Sequence, residues 1–378
     1  MRVALVNRHP SVALGGSETQ CGLIAEELVR RGHTVVWIAP GGADVARAPY
    51  EVVSVTDRAR AITDAIDAAA PDVVYWRCGT RHLGRVTPRL RRRGTPIVFA
   101  SSHVKDLRRF AVAPSGVSDP VRRILASLRD RARSVLDHRG LLRVDALVVN
   151  NETHLGLVDV RPQLFIPNGA QRASRPFRWP RPYVAWVANL KPAKRPEACV
   201  ALAEAIADLD VDVVMAGRIV TESYEWFADA ARLPGNLHFL GPVEQVDANG
   251  ILAGARCHVH TCRPEGFSNV FIQAWCAGVP SVSLGFDPEG TIERERLGVV
   301  CDDDPARFAS EVRSLLTDAA RRDAAGARAA RYALGRFDVE RSVAALEDLL
   351  LELVDGVAAD GSASTASTPT ASTSKETP

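Results

Sequence analysis

The sequence predicts an α/β protein made of two Rossmann-like, doubly wound domains. Three observations carry that prediction. At 378 residues the chain is longer than one domain of ordinary size. Short apolar, β-branched runs alternate with amphipathic segments of helical length through most of it. Residues 256–284 read as a strand, a loop, a helix closed by Gly278 and Pro280, and a further strand, which is the repeating unit of a parallel sheet.

Composition narrows the class. Hydrophobic residues make up 46% of the chain, ordinary for a soluble protein with substantial cores. A net charge of +2 points to neither nucleic acid nor a strongly acidic partner. The seven cysteines are scattered and odd in number. Cys257 and Cys262, the one close pair, lack zinc-site spacing and a second pair, so free thiols in a reducing compartment are expected. RVALVN begins a strand at once rather than a secretory leader, and no apolar run is long enough to span a bilayer. The expected location is the cytoplasm.

In the first half, strands are expected at 2–7, 34–39, 51–55, 72–76, 96–100 and 146–149, with helices between most of them. The helix at 17–31 is closed by Gly32. No G-x-G-x-x-G joins the first strand to it, which removes the best signature of a dinucleotide-dependent dehydrogenase. Gly15 and Gly16 stand there instead and would let backbone approach a ligand at a helix N-terminus. The plainer alternative is a Gly-Gly turn with Ser17 as cap. His103 follows the strand at 96–100, beyond its carboxyl end, where the ligand crevice of a doubly wound sheet lies. Residues 77–143 are rich in arginine, with Leu128, Val135, Leu136, Leu141 and Leu142 at roughly helical spacing. A solvated helix face and a membrane-surface or anionic-acceptor face both fit that pattern.

Pro167-Asn168-Gly169 reads as a turn, and the Pro- and Arg-rich stretch 171–182 as an interdomain linker. The second half opens with a strand at 183–188. Asn189, Lys191, Lys194 and Arg195 then precede a helix at 197–206, a place where ammonium groups and helix amides would hold a diphosphate. Strands are expected at 211–216 and 237–240, a helix at 243–253 and the strand ending at His260. The Pro264-Glu265-Gly266 turn comes next, followed by a helix over 269–277 with Ser268 as its N-cap. First-turn amides make that loop an anion site. Glu265 makes sense there if it accepts hydrogen bonds from sugar hydroxyls, and Gln273 could reach a ribose from inside the helix. Helices are expected at 305–316 and 339–354, and the Ser/Thr-rich end is expected to be disordered.

PEGFSNVFIQAWCAGVPSV resembles the Glu–seven residues–Glu motif of retaining nucleotide-sugar glycosyltransferases of the glycogen-synthase-like group 1 family, whose fold is GT-B. The Phe165-Ile166-Pro167-Asn168-Gly169 turn and the Gly15-Gly16 loop are similar to family features as well, so the likeness runs through nearly the whole chain. It implies that Glu265 and His103 contact the donor sugar as the catalytic pair. Gln273, standing where the family has its second Glu, would hold the ribose. Lys194 matches the lysine of the family's G-R-L-x-x-x-K. Asn189 replaces its arginine, a charge that Lys191 or Arg195 would then supply. Gly15, Gly16, Gly217, Val243, Gly266, Phe267, Ser268 and Asn269 complete the implied donor site.

The same resemblance implies no metal and no cofactor beyond the nucleotide-sugar substrate. It also implies a cleft between domains at 1–170 and 183–337, and a C-terminal helix at 338–355 packing back on the first domain ahead of a disordered tail from 356. The acceptor would be a glycan, a lipid-linked glycan or a small molecule, with peripheral attachment at the inner membrane surface as a further reading. Nucleic acid is not expected as a partner, and nothing in the sequence signals an oligomeric state. A nucleotide-sugar epimerase of the same fold and a catalytically silent nucleotide-sugar-binding protein remain alternatives.

Overall fold

Each half of the chain builds one parallel sheet in a computed structural model that describes residues 1–12, 15–45, 47–109, 120–170, 175–262 and 268–365. The chain divides into two units, Met1–Ile166 with Val343–Pro378, and Pro167–Ser342.

In the first unit, strands β1 (Arg2–Val6), β2 (Thr34–Pro40), β3 (Glu51–Val55), β4 (Val73–Trp76), β5 (Ile97–Ser101), β6 (Ala146–Val149) and β7 (Gln163–Phe165) lie in the order β3-β2-β1-β4-β5-β6-β7. All pairs are parallel, with Val3 opposite both Val35 and Val73. Their apolar runs suit strands buried on both faces. Helices α1 (Gly16–Arg30), α2 (Ala59–Ala69), α3 (Leu83–Arg92) and α4 (Pro120–Leu141) supply the cover. Ile62 and Ile66 of α2, and Leu83, Val86 and Leu90 of α3, pack on Val6, Val74, Trp76 and Phe99. The short β7 adds an edge strand that the sequence reading leaves out, since three half-buried residues give no periodic signal.

The second unit holds β8 (Tyr183–Val187), β9 (Asp212–Ala216), β10 (Leu237–Phe239), β11 (Cys257–His260), β12 (Ser281–Ser283) and β13 (Gly298–Val300), ordered β10-β9-β8-β11-β12-β13 and again all parallel. Its helices are α5 (Glu197–Ala205), α6 (Gln245–Gly254), α7 (Asn269–Cys276), the short α8 (Thr291–Arg294), α9 (Pro305–Thr317) and α10 (Ala319–Arg336). Asp304 shows how the sequence starts such a helix: its carboxylate accepts from the Ala306 and Arg307 amides at 2.8 and 3.2 Å, with Pro305 at the first helical position.

Two segments differ from expectation. The stretch read as a linker, 171–182, is not a free connection where it is described. Phe177 and Trp179 pack on the second unit's core, and the Trp179 indole donates to Asp212 at 2.7 Å. Prolines and arginines suggested a tether, but two aromatic side chains bury enough apolar surface to dock it. The last helix, α11 (Val339–Thr365), runs on past residue 355 into the segment read as disordered. Its alanines and acids continue a helix without needing an apolar stripe. From Val343 onward this helix belongs to the first unit, where Glu347 accepts from Arg31 at 2.8 Å and meets His33 Nε2 at 2.6 Å. None of the seven cysteines enters a disulfide. Among the described residues no helix is long and apolar enough to cross a membrane.

Candidate functional site

A doubly wound sheet binds ligands beyond the carboxyl ends of its strands, where the strand order reverses. In the first unit that point lies between β1 and β4. Asn7 leaves β1, Arg77 leaves β4, Ser101 ends β5, and α1 begins beside them. The Asn7 side chain, the Arg77 carbonyl and the Ser102 hydroxyl meet at Ser17. Its hydroxyl accepts from Asn7 Nδ2 at 3.1 Å and from the Ser102 hydroxyl at 3.2 Å, and donates to the Arg77 carbonyl at 3.4 Å. The buried Arg77 guanidinium donates to the Ser102 and Tyr75 hydroxyls at 3.2 and 3.3 Å.

The N-cap of α1 is Gly15, not Ser17: its carbonyl accepts from the Thr19 amide and the Thr19 hydroxyl, both at 3.0 Å. Neither Gly15 nor Gly16 has positive φ. What a side chain at Gly15 would meet is the Glu18 carboxylate, 2.6 Å from the place of its Cβ.

His103 caps a short 3₁₀ turn, Val104–Leu107, in a reciprocal arrangement. Its Nδ1 accepts from the Lys105 amide at 3.0 Å, while the Asp106 carboxylate accepts from the His103 and Ser102 amides at 3.0 and 3.1 Å. With Nδ1 accepting, a neutral imidazole carries its proton on Nε2, so that nitrogen is a hydrogen-bond donor. Burial pushes the Asp106 carboxyl above its ordinary range against the pull of those two amides. The buried His154, just past β6, is held below the ordinary histidine range by burial and by its neighbour His103. Arg77, Ser102 and His154 were not picked out from the sequence. For Arg77 and Ser102 the available signal was a polar residue directly after a buried strand; His154, five residues past β6, had none.

In the second unit the order reverses between β8 and β11. Thr261, directly after β11 and fully buried, donates to the Lys194 carbonyl at 2.6 Å and accepts from the Trp186 indole of β8 at 2.9 Å. One hydroxyl thus fastens the lysine turn, Pro192–Lys194, to the root of the loop that leads into α7. Lys191 is exposed and Lys194 half-buried. Arg195 is committed elsewhere, since it sits in the left-handed region at φ 49° and pairs with Asp303. Of the two residues expected to stand in for the missing family arginine, Lys191 is the one without an acidic partner among the described residues.

Asn189 is likewise engaged, its carbonyl oxygen accepting from the Arg218 amide at 3.1 Å. Gly217 makes that approach feasible. It has φ 155°, and a Cβ there would lie 1.8 Å from the Ala188 carbonyl oxygen. Val243 is partly buried and packs on the core formed by Tyr183, Ala185 and Ala216, two residues before α6 begins. Ser268 is the N-cap of α7 by backbone position, without a side-chain cap bond. Asn269 opens the helix, and its carbonyl oxygen accepts from Asn168 of the Pro-Asn-Gly turn at 2.8 Å. Gln273 is half-buried with no side-chain hydrogen bond among the described residues. Glu265, Gly266 and Phe267 lie outside the described residues.

Beneath α7, Phe271 packs against His258, His260 and Phe286 at ring separations of 5.2, 4.5 and 6.2 Å. The Ser281 hydroxyl joins His258 Nδ1 and the Trp275 indole, each at 3.0 Å. Burial holds His258 well below the ordinary histidine range, so it is neutral. This packed floor fixes the helix that presents Gln273.

Residues 181–318, which contain Lys194, Thr261 and the whole 264–282 motif, match the family model described as Glycosyl transferases group 1. Two parallel doubly wound sheets, one carrying this domain, make up a fold of the GT-B kind. Over that domain the chain is similar to the group 1 glycosyltransferases. Similar solved structures include sucrose-phosphate synthase from Thermosynechococcus elongatus, 15% identical over 94% of this chain and 100% of that one, with a TM-score of 0.71. Trehalose-6-phosphate synthase OtsA is 12% identical over 93% and 99%, TM-score 0.68. Anabaena HepE, solved with UDP and glucose, is 17% identical over 93% and 100%, TM-score 0.67. At these identities the likeness is one of fold. Comparison with curated proteins gave no match.

Proposed function

We propose that the chain transfers a sugar, with retention of anomeric configuration, from a nucleoside-diphosphate sugar of the UDP or GDP type to an acceptor hydroxyl. The acceptor would be a glycan, a glycolipid or a small molecule, and the reaction would run in the cytoplasm. The observation that carries the proposal is the family domain over residues 181–318, which spans both the lysine turn and the motif helix. Thr261, joining the backbone of the one to the root of the other, supports a single diphosphate site built from both. HepE, which binds UDP and glucose, supports a uridine donor as the first choice.

In this reading Lys194 and Lys191 balance the diphosphate charge, helped by the first-turn amides of α7 and the residues before it. Gln273 hydrogen-bonds the ribose, and Glu265 accepts from donor-sugar hydroxyls. His103 donates through Nε2 to a sugar hydroxyl. As the glycosidic bond lengthens, negative charge grows on the leaving diphosphate while the anomeric carbon becomes oxocarbenium-like. Cations and amides already aimed at the phosphates stabilise that charge without reorganising. No metal is required in this scheme, so turnover should survive a chelator.

The test is a thermal-shift panel of UDP, GDP, ADP and dTDP on the wild type and on Lys194→Ala. A ligand bound only to the native state adds about 2.7 kcal/mol at a hundredfold excess over its Kd. One nucleotide should shift the wild type and fail to shift Lys194→Ala. A shift without transfer to any acceptor would move the reading to a silent binding protein, and donor isomerisation without acceptor to an epimerase. No shift with any nucleotide sinks the donor-site assignment.

A further inference from the structure

We propose that the outer face of α4 docks on the surface of an anionic lipid bilayer. The inner face of this helix is settled by close packing on α3. A Cβ at Gly84 would lie 2.4 Å from the Leu136 carbonyl oxygen, and one at Gly140 would lie 2.3 Å from the Leu83 carbonyl carbon. Asp137 accepts from the Gly84 amide at 3.2 Å, and Leu141 is buried. That contact accounts for one face of α4, while on the opposite face Ile124 and Leu128 are exposed and Val135 is half-buried.

The opposite face is apolar. Ile124, Leu128, Val135 and Leu142 recur at spacings of four, seven and seven residues, which a 3.6-residue helix brings to one line. The amide of Leu142 continues the helical pattern onto the His138 carbonyl at 3.0 Å. Ile124 is 61% exposed, Leu128 56% and Leu142 42%. A helix with apolar lines on both sides has one more than its own core uses.

Charge selects the occupant. Residues 77–143 carry seventeen lysines and arginines against four acids, while the whole chain has a net charge of only +2. Arg131 and Arg139 flank the outer line on the helix surface, are exposed, and form no ion pair among the described residues. An apolar line one side chain wide between guanidinium groups matches the boundary between anionic headgroups and acyl chains. Nucleic acid would use the arginines but not the aliphatic line. A second copy would bring its own arginines against these. No helix among the described residues crosses a bilayer, so the attachment is peripheral. The proposal does not rest on the donor-site reading.

Flotation of the full chain with phosphatidylcholine vesicles, with and without phosphatidylglycerol, tests it. Three proteins are compared: wild type, the double variant Ile124→Ser/Leu128→Ser, and the double variant Arg131→Gln/Arg139→Gln. All four positions are exposed, and unchanged circular dichroism and melting would confirm folding. The wild type should bind the anionic vesicles, with roughly tenfold weaker binding to phosphatidylcholine alone. Each double variant should lose about tenfold on anionic vesicles. Absence of binding to anionic vesicles overturns the proposal, as does binding that the aliphatic variant leaves unchanged. Duplex DNA binding lost only in the arginine variant would assign the face to nucleic acid instead. A dimer in solution that Ile124→Ser/Leu128→Ser dissociates would assign it to a second copy.

Discussion

The two units place polar groups at equivalent points of their sheets and use them differently. In the first, the side chains of Asn7, Ser17, Ser102 and Arg77 at the switch point bond chiefly to one another. In the second, they brace backbone. Thr261 holds the Lys194 carbonyl and Asn189 the Arg218 amide, while Lys191 stays exposed and Gln273 keeps its amide without a partner among the described residues. A network satisfied internally is rigid and ready-made, whereas backbone braces hold charged ends in place for a charged ligand. On this contrast, damage to the second unit's braces should cost both stability and nucleotide binding. Damage to the network around Ser17 in the first unit should cost stability alone.

The sharpest way to break the contrast is Gly217→Ala. Its φ of 155° and a Cβ 1.8 Å from the Ala188 oxygen leave no local relief. A loss of about 4 kcal/mol is expected, read from the guanidinium midpoint, together with loss of the nucleotide-dependent melting shift. A folded variant with an intact shift would show that the Asn189–Gly217–Arg218 corner is remote from the ligand. Thr261→Val comes next. It keeps the side-chain shape but removes the donor to the Lys194 carbonyl and the acceptor of the Trp186 indole. It should cost roughly 2–3 kcal/mol and raise the donor KM more than it lowers kcat. A purely structural Thr261 would give the stability loss with KM unmoved.

These two positions also show what the sequence hides. The alternation of strands and helices, the lysine turn and the motif helix were legible because each is local: periodicity, capping residues and glycine stops lie within a few positions of one another. Thr261, Arg77 and His154 were not, because their importance depends on which strand ends become neighbours. β1 meets β4 and β8 meets β11, pairings between strands far apart in the chain. The Pro- and Arg-rich stretch before Tyr183 misled for a related reason. Proline content describes local stiffness, while the docking of Phe177 and Trp179 depends on a surface built by residues further along. Ser17, the second residue of α1 and not its cap, is tied to residues 60 and 85 positions away.

Acid pH offers a smaller and more specific probe of the second unit. His258 has a folded-state pKa well below 6.5 because burial disfavours its charged form. As pH falls below about 6.5, the unfolded chain takes up a proton that the folded chain cannot hold. Stability attributable to this group is therefore complete above that pH and falls as the solution is acidified toward the folded pKa. At pH 5 the loss approaches about 2 kcal/mol. His258→Asn should flatten the melting profile between pH 7 and 5, at the cost of a lower melting point at pH 7. If the wild-type profile is already flat over that interval, the histidine is charged in the fold and the neutral floor beneath α7 is wrong.

Ser17→Ala is the mildest change and separates the two units most cleanly. The substitution removes the acceptor of Asn7 Nδ2 and of the Ser102 hydroxyl, and the donor to the Arg77 carbonyl. Alanine is a good helix former, so propensity in the first turn of α1 offsets part of the loss. Ser102 still receives the Arg77 guanidinium, and Asn7 Nδ2 retains the Cys21 sulfur at 3.2 Å. About 1 kcal/mol is expected. The nucleotide-dependent melting shift should be unchanged within error, because none of these bonds reaches the lysine turn or α7. If Ser17→Ala instead abolishes that shift while melting moves little, the hydroxyl is a ligand group and the first unit's network is not self-contained. The diphosphate site would then have to include the start of α1, and Gly15 and Gly16 would owe their smallness to the ligand.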